Sequence, residues 1–179
     1  MSKKIGIIVG SLRPESISSQ LGQAMDTLFP ESFEVEEISI MDLPLYIDDA
    51  PENQPESYDV FREQVKEKDG LIFISPEHNR SIPASLKNAL DVASRPYGKG
   101  AWSGKSALII SHSPGMLSGF GANAHLRQIL PSLNIDIVAQ PEIYLAQSHT
   151  LVNDKGEFDS PSTADFLQGA VDALVEKIS

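Results

Sequence analysis

Near the start of the chain the residues able to do chemistry are hydroxyls and one arginine: Ser11, Arg13, Ser16, Ser18 and Ser19. They follow an apolar run over residues 5–9 and Gly10, and they lead into Ile17, Leu21, Ala24, Met25 and Leu28, which recur at helical spacing. The head of a helix carries backbone N–H groups without intrahelical partners at the positive end of the helix dipole, so a polar loop there is an anion site. Ser16 stands at the N-cap position, and Gly10 permits the sharp exit from a strand. Hydroxyl donors beside a guanidinium suit a phosphate. An ordinary strand-turn-helix with a serine cap would use the same position, but it has no need of four hydroxyls and an arginine. The loop lacks the Gly-Lys-Ser/Thr ending of a nucleotide-hydrolysing loop, and only Gly6 and Gly10 are available where a dinucleotide fingerprint needs three glycines. A single phosphate is the expected guest.

Other chemistries find less support. His78, His112, His125 and His149 share no ligand spacing and the chain has no Cys, so no metal is expected. Asp48 and Asp49 lack the spacing of a calcium loop, and the Gly-x-Ser-x-Gly elbow of a serine hydrolase is absent. His125 reads as a surface or interface residue.

The elements that must position these groups follow from periodicity. Residues 5–9, 70–74 and 107–110 are short, apolar without alternation and rich in β-branched types, as strands buried on both faces are. Residues 33–40 alternate, with Val35, Ile38 and Ile40 apolar, and 135–139 supplies a fifth strand. Between them the spacing predicts a helix over 58–68, capped by Ser57 with Phe61 and Val65 inward. Another opens at Pro83 with Leu86, Ala89, Leu90 and Ala93 inward and a Lys87/Asp91 pair outside. A further helix carries Ala122, Leu126, Ile129, Leu130 and Leu133. A last one, capped by Ser160 with Pro161 at its first position, buries Phe166, Leu167, Ala170, Val171, Leu174, Val175 and Ile178. Residues 41–55, with Pro44, Pro51 and Pro55 among the acids Asp42, Asp48, Asp49 and Glu52, read as a long solvated loop. Strand-helix alternation with short connections means a doubly wound parallel sheet with helices on both faces, and five strands fit the order 2-1-3-4-5. The 179 residues suit a single domain, 1–179. That order brings the first loop, residues 75–82 and residues 111–121 together at the carboxyl edge of the sheet.

Composition narrows the partners. Fourteen basic against 25 acidic side chains leave a net charge of −11, which repels nucleic acid and anionic membranes. The apolar run after Met-Ser-Lys-Lys is too short for a signal or a membrane span, so a cytoplasmic protein is expected.

A hydroxyl-rich loop after the first strand is what a flavodoxin-like fold uses to hold the phosphate of FMN. Gly10-Ser11-Leu12-Arg13-Pro14-Glu15-Ser16 resembles the Gly-Ser-x-Arg-x-x-Ser loop of the NADPH-dependent FMN reductase family, which includes quinone, azo-dye and chromate reductases. Pro76-Glu77-His78-Asn79 with Pro83, Leu86-Lys87-Asn88-Ala89 and Asp91 is similar to the family's Pro-Glu-Tyr-Asn ring segment. Ser111-His112-Ser113-Pro114-Gly115 with Gly119, Gly121 and Leu126-Arg127-Gln128 is similar to its Ser-x-Ser-Pro-Gly stretch. Here His78 stands for the family's usual Tyr, Ala84 for a Gly and Ser18 for an Asn.

The resemblance covers almost the whole chain and implies a flavodoxin-like fold binding FMN. Ser11, Arg13, Ser16, Ser18 and Ser19 would hold the phosphate, and Pro76, Glu77, His78 and Asn79 with Ser113, Gly115 and Gly119 would line the ring. His112 would either tune the flavin or support its loop. It also implies a reductase in which NADPH or NADH passes a hydride to FMN and leaves. A quinone, azo compound, metal oxyanion or free flavin then takes its place on the same face. Family members generally form dimers or tetramers. Arg80, beside the ring loop, is the nearest cation for the NADPH phosphate or an anionic acceptor. A flavodoxin-type electron carrier, or a flavin-bound interaction protein without turnover, is the alternative that the fold alone leaves open.

Overall fold

The strands form where the sequence is most continuously apolar. In the computed structural model, which describes residues 2–48 and 53–179, β1 (Lys3–Val9) buries its last five residues, β3 (Gly70–Pro76) its first six and β4 (Ser106–His112) all seven. Side chains alternate across a sheet, so each run feeds two cores. Ile8, Leu71, Phe73, Ala107 and Ile109 pack on one face with α2 (Glu56–Lys66), α3 (Ala84–Ala93) and α4 (Phe120–Ser132). Ile5, Ile7, Val9, Ile72, Ile74, Leu108 and Ile110 pack on the other with α1 (Ile17–Asp26) and α5 (Pro161–Ile178). Both faces are apolar, which is why the strands carry no polar alternation.

With β2 (Phe33–Glu37) and β5 (Asp136–Ile137), the order is β2-β1-β3-β4-β5 and every pairing is parallel. The direction of winding therefore reverses between β1 and β3, the switch point expected from the sequence. The register sets Ile7 beside Ile72 and Ile72 beside Leu108.

Several boundaries differ from expectation. The second strand stops at Glu37, although Ile38 still donates to the Ile7 carbonyl at 2.8 Å and Ile38 and Ile40 are buried. Extended Pro55 holds the N-cap position of α2, so Ser57 falls inside the first turn. That helix ends at Lys66, and buried Lys68 pairs with Glu36 across the sheet edge. Pro83 is likewise an N-cap and not the first helical residue. Phe166 is 45% exposed, because the inner face of α5 runs through Leu167, Ala170, Val171 and Leu174, one step around the helix from it.

The edge next to β4 holds two short strands where one was expected. β5 pairs Ser106 and Ala107, and β6 (Ile143–Leu145) pairs Ile110, Ser111 and His112. Pro141 lies between them and has no N–H to give a ladder.

The described part of the 41–55 loop faces solvent, with Leu45 and Ile47 exposed, yet it is pinned to α3 and α2. Asn88 of α3 accepts from the Tyr46 amide at 2.7 Å and donates to the Pro44 carbonyl at 2.9 Å. Tyr58 Oη donates to the Leu45 carbonyl at 3.0 Å. Asp49 and Glu52 lie outside the described residues.

Candidate functional site

Parallel strands deliver their carboxyl ends to one edge, and β1, β3 and β4 are neighbours, so the loops at 10–16, 77–83 and 113–119 meet there. The first loop leaves β1 at Gly10, whose amide donates to the Ile74 carbonyl at 2.8 Å and whose carbonyl accepts from Ser85 Oγ at 2.9 Å. Ser16 has the extended backbone of an N-cap, and its Oγ accepts from the Ser19 amide at 3.1 Å. The amides of Ile17 and Ser18 meet no acceptor among the described residues. Ser11 Oγ accepts from the Arg13 amide at 3.3 Å. The Arg13 side chain is exposed and forms no ion pair among the described residues. Ser19 is half-buried with its hydroxyl uncommitted.

Ser18 is different. It is 1% exposed, and its Oγ lies 2.7 Å from His112 Nε2. Its hydroxyl is engaged in the interior and not displayed in the loop, while its amide still belongs to the free set.

The second loop is built on its backbone. His78 and Ser81 exchange N–H···O bonds of 2.9 and 3.0 Å around Asn79 (φ 50°) and Arg80 (φ 67°). Two successive left-handed residues make the tight hairpin turn whose twist suits paired strands, and Asn tolerates that conformation better than most residues. Asn79 is exposed, so its part is conformational and the turn is closed by backbone, not by a bridging side-chain amide. His78 is also exposed.

Glu77 has a side chain only 13% exposed, and its Oε2 accepts from the Gly121 amide at 2.7 Å and the Ala122 amide at 3.4 Å. It caps the positive end of α4 and so ties the second loop to the third. A Cβ on Gly121 would stand 2.7 Å from the Arg80 carbonyl oxygen and 2.9 Å from Glu77 Oε2, so glycine is required there. Arg80 Nη1 is 3.5 Å from Glu77 Oε1 with its side chain 74% exposed.

The third loop is shorter than expected, because Ser111 and His112 complete β4. Ser113 donates its amide to the Leu145 carbonyl at 3.1 Å, and its Oγ accepts from the Gly115 amide at 3.0 Å. Gly115 is exposed. Gly119, at φ 74°, presses on the His112 backbone, where a Cβ would come within 3.0 Å of both N and O. Met116, Leu117 and Phe120 are exposed beside it, and Phe120 stacks on Tyr144 with ring centroids 5.7 Å apart.

One supporting residue escaped the sequence reading. Asn123 is fully buried and donates to the Ile143 carbonyl and to Ser111 Oγ, while its Oδ1 accepts from Arg127. Its signal is a lone polar residue beside Ala122 on an apolar helix stripe. Among the described residues, no group of three or more His, Asp or Glu could hold a metal ion.

The donor set fits a monophosphate ester: free amides at a helix head, two hydroxyls and a guanidinium with no carboxylate to neutralise it. The neighbouring loops present Gly115 and the backbone of the 78–81 turn, a surface suited to a flat ring system. A doubly wound sheet with this edge defines a mononucleotide-binding protein of the flavodoxin-like class.

Residues 3–150 match the model of the NADPH-dependent FMN reductase family, and the chain belongs to that family. It is 44% identical over 169 residues to a quinone reductase of Pseudomonas putida, covering 94% of this chain and 90% of the relative. It is 40% identical over 172 residues to a 2-hydroxy-1,4-benzoquinone reductase of a Burkholderia species, covering 96% and 94%. Among solved structures it superposes with TM-score 0.92 on FerB, a flavoenzyme NAD(P)H:(acceptor) oxidoreductase of Paracoccus denitrificans, at 37% identity over 98% of this chain and 97% of the other. Family membership makes this an oxidoreductase that uses FMN and NAD(P)H and acts on small-molecule acceptors.

Proposed function

We propose that the chain is a cytoplasmic NAD(P)H:quinone reductase, a single domain acting as a homodimer or homotetramer, with its FMN held across the three loops. The observation that carries this reading is the anion cradle of the first loop, where Arg13 has no ion pair and the amides of Ile17 and Ser18 have no acceptor among the described residues. Arg13 neutralises the flavin phosphate, and Ser11, Ser16 and Ser19 with those amides fix its oxygens. Pro76, Glu77, His78 and Asn79 face the ring mainly through backbone, since the Glu77 carboxylate is spent on α4. Ser113, Gly115 and Gly119 close the opposite side. When bound, FMN supplies the redox chemistry, accepting a hydride from the nicotinamide and delivering electrons to the acceptor. Arg80 draws the NADPH phosphate to the mouth of the site, and Met116, Leu117 and Phe120 offer an apolar rim for a flat quinone.

Two titrations and one turnover assay test this. Flavin-free protein is expected to bind FMN far more tightly than riboflavin or FAD, and equal affinity for riboflavin would remove the phosphate assignment. Steady-state oxidation of NADPH and NADH is expected with a benzoquinone acceptor, faster than with an azo dye, chromate or free FMN. A carrier without turnover of its own would show none. Light scattering is expected to give two or four subunits per particle.

A further inference from the structure

His112 is a buried titratable side chain that the reading above leaves without a task. It is the last residue of β4 and only 3% exposed. Its Nε2 lies 2.7 Å from Ser18 Oγ in the first turn of α1, and its Nδ1 lies 3.1 Å from Ser148 Oγ in the 3-10 turn Ser148–Thr150. Ser148 is itself tied to the third loop, for its amide donates to the Ser113 carbonyl at 3.1 Å. One imidazole thus joins the head of the phosphate-loop helix, the end of β4 and the base of the ring loop.

Burial holds the His112 pKa down to about 4, so the ring is neutral near pH 7 and offers one donor and one acceptor nitrogen. A serine hydroxyl serves either role, so both nitrogens are satisfied whichever carries the proton. Ser18, 1% exposed, meets His112 as the one partner of its hydroxyl among the described residues.

We propose that His112 is a positioning residue for the flavin phosphate: by gripping Ser18 it fixes the first turn of α1, and with it the free amides of Ile17 and Ser18, against β4 and the 113–119 loop. This rests on the FMN reading of the first loop. A side chain that merely fills the core would affect folding and would weaken every flavin alike. A positioning residue acts on the phosphate alone, and riboflavin, which shares the ring and lacks the phosphate, separates the two.

The experiment uses the full chain stripped of flavin, with dissociation constants for FMN and riboflavin read from fluorescence quenching. Wild-type protein without a preference for FMN defeats the phosphate-loop reading itself, before any variant is made. Given that preference, His112→Ala and Ser18→Ala are each expected to raise the FMN dissociation constant about tenfold, the effect of one lost hydrogen bond. The riboflavin constant is expected to stay within about twofold. His112→Gln, whose amide reaches Ser18, is expected to recover most of the loss. The double variant is expected to be no worse than His112→Ala alone, since that change already removes the contact that Ser18→Ala would break. Equal weakening of both flavins, or unchanged FMN affinity in either variant, overturns the proposal. Ser18→Ala removes a single oxygen, and it carries the same test if His112→Ala does not fold.

Discussion

Arg13 sits in solvent and forms no ion pair among the described residues, in a chain whose acids outnumber its bases by 25 to 14. A charge kept free in such company has an external partner to meet. Arg13→Ala is expected to weaken FMN binding by roughly 1.5–3 kcal/mol, the range for a hydrogen bond to a charged group. Arg13→Lys should restore only part of this, because a point charge replaces a planar fork. An alanine variant with wild-type FMN affinity would assign Arg13 to solvent or to the nicotinamide phosphate.

His112 adds a pH prediction. Unfolded, it protonates near 6.5; folded, burial lowers this to about 4, so between those values the unfolded chain holds the extra proton. Stability is therefore full above pH 6.5 and declines as pH falls toward 4, by at most roughly 3 kcal/mol. Urea unfolding at pH 7.5 and 5 should show a smaller decline for His112→Gln than for wild type. Equal declines would mean that the folded imidazole titrates normally.

Residue types were legible from sequence here, but orientation was not. The motif drew attention to Ser18 and Glu77, yet nothing in the spacing told that one hydroxyl turns inward to a histidine 94 positions away or that the carboxylate caps a helix. Those facts belong to contacts between elements distant in the chain.

At the scale of elements, the bond between the second loop and α4 is the joint on which the ring side of the site depends. Glu77→Ala removes the cap and is expected to cost about 0.5–2 kcal/mol of stability. Glu77→Gln, with one oxygen still able to accept, should cost less. Gly121→Ala drives a methyl into the Arg80 carbonyl and should cost on the order of 1–3 kcal/mol through forced displacement. Thermal melts rank the three against wild type, and NADPH-quinone turnover reports whether the loop has shifted. A Gly121→Ala protein with wild-type melting and turnover would show the close approach to be slack.

Long apolar strands and striped helices were readable because burial on two faces, or on one, writes a period into the sequence. Short elements were read less well. Residues 135–139 were read as one strand, whereas β5 spans only Asp136–Ile137, and the three residues of β6 carry too little pattern to reveal its pairing with β4. Residues 75–82 were visible as a loop, but the left-handed turn at Asn79 and Arg80 was not, since an arginine gives no such signal.

At the scale of the whole molecule, the net charge of −11 works against an anionic reductant. Arg80 is an exposed cation of the second loop, although Glu77 at 3.5 Å offsets part of its charge. Arg80→Ala is expected to raise the Michaelis constant for NADPH, more at low ionic strength than at high, and to leave FMN bound. Initial rates across a salt series check this, and NADPH kinetics unchanged at low salt would leave Arg80 a solvated loop tip.

Strand edges are where a sheet recruits further strands, and this one is poorly suited to recruitment at either side. On one flank β2 exposes Glu34, Glu36 and Glu37; on the other the edge is broken into pieces of two and three residues around Pro141. Acidic side chains and short, interrupted strands deny a second chain the long flat template it needs for intermolecular pairing. What the sheet edges withhold, the loops leave open: Leu45, Ile47 and Tyr97 lie bare. The sheet ends with its own strands, and concentrating the protein is expected to give no growing fibrils.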